Sequence, residues 1–161
     1  MNDPSHADPD AFEDPLSNFE PVEYASDLHR VLAEEPISEI QSTPCVEVGK
    51  ESSIRDAIEA LNKSKVSSLL VVEGNKLVGI FTERDVLEQV AGQFPKIADS
   101  PVLEVMTPNP TVVYESDPVG TAVAAIAVAG HRHVPVLRID GTVMGIVSPR
   151  RVLSFLEQHL D

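Results

Sequence analysis

The sequence repeats itself at a spacing of about 66 residues, and this repeat limits the possible folds more than any other feature. The segment Gly79-Ile80-Phe81-Thr82 returns as Gly145-Ile146-Val147-Ser148, and Leu69-Leu70-Val71-Val72 returns as Val134-Pro135-Val136-Leu137. The spacing changes between 65 and 66 only where loops are expected, before the first helix and within the hairpin. One copy of about 60 residues would be marginally stable alone, so the two copies are expected to share a core.

Each copy has the pattern of a strand, a helix, a strand, a turn, a strand and a helix. The first copy predicts strands at 45–48, 68–73 and 77–81, a helix from Ser52 or Ser53 to about 64, and a helix at 83–91. The second copy predicts strands at 111–114, 133–138 and 142–147, and helices at 118–129 and 149–159. Ser26 is a suitable cap for an additional helix over 27–34. The predicted fold class is α/β (α+β), with two β-α-β-β-α repeats packed as a pseudo-two-fold pair.

Charge is unevenly distributed along the chain. The net charge is −14, and residues 1–35 contain ten acidic side chains against one basic side chain, Arg30. An acidic, proline-rich segment cannot bury enough apolar surface to offset its ordering entropy, so residues 1–25 are predicted to be a disordered acidic leader. The predicted division of the remainder is a helix and lead-in at 26–43, repeat 1 at 44–95, and repeat 2 with its lead-in at 96–161.

Composition argues against several classes of protein. The acidic balance disfavours a nucleic acid as macromolecular partner. The sequence has no apolar run of 18 residues, so no membrane span is predicted. Its N-terminal segment lacks a basic region followed by an apolar one, so no secretory signal is predicted. The single cysteine, Cys45, leaves no internal disulfide and fits a cytoplasmic, reducing setting. The chain has no P-loop, nucleophile elbow, dinucleotide fingerprint or zinc-protease motif, so an enzyme is the least favoured class.

The segment predicted as helix 118–129 carries no charge. A helix that is apolar all round is a buried helix, and packing within one chain covers only one of its faces. Its small, alanine-rich second face suggests a matching helix from a second chain, which predicts a two-fold homodimer. The alternative is a helix that is buried entirely within the monomer.

A strand-to-helix junction at Gly79 to Asp85 has the strongest chemical signal. Thr82 lies where the helix begins and Asp85 lies three residues later, which is close to a capping box with a purely structural role. A ligand-binding role is also possible for the same residues. The helix N-terminus offers free N–H groups to a phosphate, and the Asp85 carboxylate suits a ribose diol because it only accepts hydrogen bonds.

These features together resemble a tandem pair of cystathionine-β-synthase (CBS) domains, called a Bateman module. The resemblance covers residues 36–161. It rests on the duplicated repeat, on the Gly-hydrophobic-hydrophobic-Thr/Ser junction of each copy, on Arg132-His133-Val134-Pro135-Val136 and on Val105-Met106-Thr107-Pro108. It implies a regulatory module that binds adenosine ligands (AMP, ADP or ATP, and sometimes S-adenosylmethionine) between the copies and acts on an unidentified partner protein. Such a module requires no cofactor. The alternative is a ligand-free dimerisation scaffold.

The resemblance also implies the ligand-binding residues. The ribose-binding carboxylate falls on Asp85 and the hydroxyl at the helix start falls on Thr82. The adenine pocket would be lined by Cys45, Val46, Ser67, Leu69 and Ile80, and the phosphates would be bound by His131, Arg132, His133 and Arg150 of the second copy. If His131 and His133 bind phosphate, affinity rises as pH falls through their titration. The same two histidines could form half of a metal site, but no carboxylate or cysteine stands near them, so no metal is predicted.

The second copy departs from the family pattern at its own junction. Ser148 keeps the hydroxyl, but Arg151 stands where the ribose-binding carboxylate should be, and a guanidinium has no acceptor for a sugar hydroxyl. The second nucleoside site is therefore expected to be defective, and one nucleotide per chain is the hypothesis. Two arginines in the first helical turn oppose the helix dipole. Either a bound anion or surface carboxylates, for example in a dimer partner, would relieve this conflict at Arg150 and Arg151.

Overall fold

The computed structural model describes residues 21–160. The predicted disordered leader lies outside these residues except for 21–25, which form neither helix nor strand. No helix within the described part combines the length and the apolarity that a membrane crossing requires.

Repeat 1 has the predicted order of elements with small changes of boundary. It contains β1 (Glu47–Gly49), α2 (Ile54–Ser64), β2 (Ser68–Glu73), β3 (Lys76–Thr82) and α3 (Glu83–Asp85), after α1 (Asp27–Glu34) and a 3-10 turn at Ile37–Glu39. The side chains of Ser26 and Ser53 cap α1 and α2 by accepting hydrogen bonds from backbone N–H groups. The last helix of the repeat starts at the predicted residue, but after one turn it widens into a π-helix, Val86–Val90.

Repeat 2 follows the same order. It contains β5 (Val113–Tyr114), α5 (Val119–Ala129), β6 (Val134–Leu137), β7 (Val143–Val147) and α6 (Pro149–His159). The stretch between the repeats contains α4 (Phe94–Ile97), a 3-10 turn at Val102–Glu104 and the short strand β4 (Thr107–Pro108).

The strands form two small sheets, one for each repeat. One sheet has the order β1-β2-β3-β4 and the other has the order β5-β6-β7. The first two strands of each repeat pair in parallel, and the following hairpin is antiparallel. The predicted mixed fold of two pseudo-symmetric β-α-β-β-α units is confirmed.

Each repeat completes its core with the lead-in of the other repeat. Val31, Ile37 and Ile40, from before repeat 1, are buried in the core of repeat 2. Val102 and Met106, from before repeat 2, are buried in the core of repeat 1. Further contact comes from a small cluster of Leu70, Ile80 and Ile146 between the sheets. The two repeats are therefore held together by exchanged segments as well as by a shared apolar surface.

The uncharged helix α5 is covered partly by the same chain. Val119 and Ala122 are buried in the core of repeat 2. A Cβ added to Gly120 would lie 2.9 Å from the Leu32 carbonyl oxygen, so α1 crosses α5 closely on a second side. Val128 remains 87% exposed. The same chain therefore covers part of the second face of α5. An exposed strip of the helix remains, and only this strip is available to a helix of a second chain.

Candidate functional site

A cleft of about 830 Å³ lies between the N-terminal ends of α3 and α6. Its size falls in the usual range of small-molecule pockets, roughly 300–1,000 Å³. Nine of the predicted site residues line it: Ser67, Ile80, Thr82, Asp85, His131, Arg132, His133, Ser148 and Arg150. The exchange of lead-ins also brings Thr107 into the lining.

Asp85 is the most buried polar residue of the cleft, at 7% exposed. Its Oδ2 accepts hydrogen bonds from the backbone N–H and the hydroxyl of Thr82, both at 2.8 Å. Oδ1 receives only two longer contacts, from the Thr107 hydroxyl at 3.3 Å and the Gln89 amide at 3.4 Å. The capping box is thus real. It uses one carboxylate oxygen fully and leaves the other as an acceptor for which a ligand hydroxyl can compete.

The π-helix that follows Asp85 helps to shape this wall of the cleft. Ala91 N–H donates to the Val86 carbonyl at 2.8 Å, which is the wider spacing of a π turn. Gln89 lies in this turn, and its amide reaches Asp85. Single π turns inside helices occur often at functional sites.

The opposite wall belongs to repeat 2 and is basic. Arg132 and Arg150 are exposed there. His133 Nε2 lies 2.9 Å from the Ser67 hydroxyl, and His131 Nε2 lies 3.0 Å from the Thr111 hydroxyl. Acidic side chains of Glu83 and Glu88 line the side of repeat 1, as does Arg84, which pairs with Glu88 at 2.8 Å.

His133 is a weaker candidate for a cationic phosphate ligand than its sequence suggests. Burial, and secondarily the charge of Arg132, lower the pKa of His133 below its usual value, against a smaller opposite effect of Glu83. At neutral pH the imidazole is therefore neutral and hydrogen-bonded to Ser67 across the repeats. The permanent positive charge of this wall comes from Arg132 and Arg150.

Three residues predicted for the adenine pocket lie outside the lining of the cleft. Leu69 is fully buried in the core of repeat 1. The strand β2 is apolar on both faces: Leu69 lies on the face that packs against the helices, and Leu70 lies on the face that packs against the other sheet. Val46 packs on the same core. Cys45 packs on the cluster between the sheets, where burial, followed by Glu47, raises the pKa of its thiol.

The structure adds Thr107 and Gln89 as contacts of Asp85 that the sequence prediction missed. Thr107 belongs to the Val-Met-Thr-Pro motif, but its proximity to Asp85 depends on the exchanged lead-in. Gln89 was visible only as a polar residue one helical turn after Asp85. Within residues 21–160, no group of three or more His, Cys, Asp or Glu side chains is placed to hold a metal ion.

Fold and cleft together define a class of protein: a module of two similar repeats with a cleft of small-molecule size between them. A family model described as the CBS domain matches residues 37–92 and again residues 102–158. The chain therefore belongs to the CBS domain family, as its motifs predicted.

The chain is similar to proteins of comparable size. An uncharacterized 17.7 kDa protein of Acidianus ambivalens is 32% identical over 125 residues, which are 76% of this chain and 74% of the relative. The CBS domain protein PAE2072 of Pyrobaculum aerophilum, solved as a complex with AMP, is 26% identical with a TM-score of 0.66, over 76% of this chain and 98% of that one.

A second similar structure contains other adenosine compounds. The CBS domain pair of protein MJ0100, solved with 5′-methylthioadenosine and S-adenosylmethionine, is 26% identical with a TM-score of 0.66, over 76% of this chain and 96% of that one. Several longer curated relatives are matched over only 15–27% of their own length.

Proposed function

We propose that this chain is a regulatory module, not an enzyme, that binds an adenine nucleotide (AMP, ADP or ATP) in the cleft between its repeats. The observation that carries the proposal is the chemical difference between the two walls of the cleft. Asp85 Oδ1 is an under-used acceptor on one wall, and two arginines stand on the other. A ligand with sugar hydroxyls at one end and an anionic group at the other matches this arrangement.

In this proposal, each wall binds a different part of the nucleotide. Asp85 accepts hydrogen bonds from the ribose hydroxyls, and Thr82 holds the carboxylate in place. Ile80 and Ser67 contribute to the lining near the base. Arg132 and Arg150 bind the phosphates, with the N-terminal end of α6 at Ser148 beside them. His133 contributes a neutral N–H donor to the same wall, and His131 lines that wall beside it.

The relatives solved with AMP and with S-adenosylmethionine support a module for adenosine compounds. S-adenosylmethionine is the second candidate, because Glu83 and Glu88 also line the cleft and an acidic group suits its positive charge. A ligand-free scaffold is the third. The exposed strip of α5 favours a homodimer in all three cases, and the signal would pass to an unidentified regulated protein. A single cysteine fits a cytoplasmic setting, where adenine nucleotides are available.

Thermal unfolding of the full chain tests the proposal. AMP, ADP, ATP and S-adenosylmethionine are added separately, with GMP as the control for the base. A ligand at about 100 times its Kd stabilises the native state by about 2.7 kcal/mol, or roughly 5–10 °C in Tm for a chain of this size. We expect this stabilisation with at least one adenosine phosphate and a much smaller one with GMP.

The alternatives give different results in the same measurement. A larger shift with S-adenosylmethionine than with any phosphate would favour the second candidate. No shift with any of the four compounds at millimolar concentration would contradict the nucleotide proposal and leave the scaffold. Sedimentation of the free and liganded chain then shows whether the ligand changes the oligomeric state.

A further inference from the structure

The charged side chains that line the cleft are balanced in number but not in availability. Three are acidic and three are arginines: Glu83, Asp85, Glu88, Arg84, Arg132 and Arg150. Arg84 Nε donates to Glu88 Oε1 at 2.8 Å. Within residues 21–160, Arg132 and Arg150 form no ion pair with a carboxylate. Two arginines are therefore available to an anionic ligand.

A comparison of the two repeats shows why Arg150 is available and Arg84 is not. Each occupies the second position of the helix after its junction, Arg84 in α3 and Arg150 in α6. Four residues later, repeat 1 has Glu88, which pairs with Arg84, but repeat 2 has Ser154. The carboxylate that occupies the first arginine is thus missing from the second repeat.

Glu83 is a second carboxylate that is specific to repeat 1, since Pro149 is its counterpart in repeat 2. It is exposed at the start of α3, and within residues 21–160 it forms no ion pair. Burial and the charge of Arg132 lower the pKa of His133, and the charge of Glu83 counteracts them. Glu83 is therefore close enough to the basic wall for its negative charge to act there.

A second cavity, of about 380 Å³, lies beside the cleft and shares Arg150 with it. Its other arginine, Arg151, donates to three backbone carbonyl oxygens, among them those of Ile146 at 2.6 Å and Pro44 at 2.7 Å. Within residues 21–160, Arg151 forms no ion pair with a surface carboxylate, which was one of the two expectations for it. Glu39 also lines this cavity. The second cavity therefore adds a carboxylate, and its additional arginine already has backbone partners.

We propose that the cleft discriminates by the number of phosphates and takes a nucleoside monophosphate in preference to a di- or triphosphate, and that Glu83 and the Arg84–Glu88 pair set this preference. AMP carries about two negative charges at neutral pH, which Arg132 and Arg150 match, and ADP and ATP carry about one and two more. The additional charges find no available arginine and face Glu83 instead. A site can reject a competitor by leaving its charges unpaired. This inference rests on the proposed function and narrows its ligand.

Calorimetric titration of the full chain with AMP, ADP and ATP tests the preference. The titrations are made without divalent cations, so that the phosphates keep their charge, and at low ionic strength, where exposed charges are least screened. Each additional phosphate is expected to weaken binding by about threefold to tenfold. The difference between AMP and ATP should become smaller in about 0.5 M NaCl, because salt screens an exposed charge such as that of Glu83.

Three single substitutions test the origin of the preference. Glu83→Gln should strengthen ATP by about fivefold and AMP by about twofold at most, because the removed charge lies in the way of the longer phosphate chain. Glu88→Gln should also narrow the difference, because it leaves Arg84 without its carboxylate. Glu59→Gln is the matched control, since this exposed carboxylate of α2 is not among the lining residues of either cavity. It changes the net charge by the same amount and should not change the ratio of the two Kd values.

The possible results separate this inference from the proposed function. ATP that binds as tightly as AMP, or more tightly, would overturn the preference and leave the nucleotide proposal intact. A ratio that changes equally in Glu83→Gln and Glu59→Gln would assign the preference to the overall charge of the protein and overturn the role of Glu83. No binding of any of the three nucleotides would contradict both proposals.

Discussion

The two repeats have the same strand-to-helix junction but place opposite charges at its end. In repeat 1, Thr82 and Asp85 cap the helix through reciprocal hydrogen bonds, and the carboxylate faces the cleft. In repeat 2, Ser148 makes no side-chain capping bond, and Arg151 turns to backbone carbonyl groups. The fold needs apolar residues in the strands and a chain reversal at the junction, so it tolerates either charge. Pseudo-symmetry of the backbone therefore does not impose symmetry on the site.

The helices after the two junctions differ as well. In repeat 1, the helix changes from α to π after one turn and brings Gln89 to Asp85, whereas α6 of repeat 2 is a regular α-helix of 11 residues. The irregular helix accompanies Asp85, the residue proposed to bind the ligand, and the regular helix accompanies Arg151, which donates to backbone carbonyl oxygens. The same position of the two repeats therefore has an acceptor that faces the cleft in repeat 1 and a donor that faces the backbone in repeat 2.

The largest expected effect comes from removing the acceptor that distinguishes repeat 1. Asp85→Ala should weaken AMP by at least about 100-fold, because hydrogen bonds to a charged group contribute about 1.5–3 kcal/mol each. Calorimetry with AMP measures the loss. Glu88→Gln is the control, since this carboxylate also lines the cleft but is paired with Arg84, and it should change the affinity by less than about threefold. Binding that survives Asp85→Ala would contradict the ribose assignment.

A second prediction compares the two glycines at which the lead-ins cross. A Cβ on Gly79 would meet the flexible side chain of Met106, but one on Gly145 would meet the backbone oxygen of Ser42. Overpacking costs about 1–3 kcal/mol, so Gly145→Ala should lie near the upper end of this range and Gly79→Ala near the lower end. Urea unfolding gives both free energies. Gly92→Ala is the control because its site is open, and equal losses at Gly79 and Gly145 would disprove the asymmetry.

The smallest expected effect is a pH dependence at the contact between the repeats. The pKa of His133 is lowered in the folded protein, so the unfolded chain binds the proton more readily. The contribution of neutral His133 to stability is therefore complete above its ordinary pKa of about 6.5 and is lost as pH falls through the lower pKa of the folded state. Urea unfolding between about pH 8 and pH 5 measures this slope.

His133→Gln should flatten the slope, because it keeps a polar partner for Ser67 without a titrating group. His131→Gln is the matched control, since His131 is exposed and contacts Thr111 within its own repeat. A slope that is unchanged in His133→Gln would assign the pH dependence to other groups.

Most of the secondary structure and part of the site could be predicted from local patterns. The junction at Thr82 and Asp85 was recognisable because capping depends on residues three positions apart. Leu69 was misplaced, because the run from Leu69 to Val72 is apolar on both faces and has no alternation that would show which side faces the core. The burial that lowers the pKa of His133 depends on packing between the repeats, which no local pattern reports.

The sequence by itself determined the duplication, the order of the elements, the family and the charge difference between Asp85 and Arg151. These properties follow from residue types and from the spacing between them, and both can be read directly from the sequence. Only the tertiary structure decided that the lead-ins are exchanged and that Arg151 binds Ser42, a residue 109 positions away. Hydrogen bonds between carbonyl groups and a distant side chain leave no trace in residue type, because every residue has the same carbonyl group.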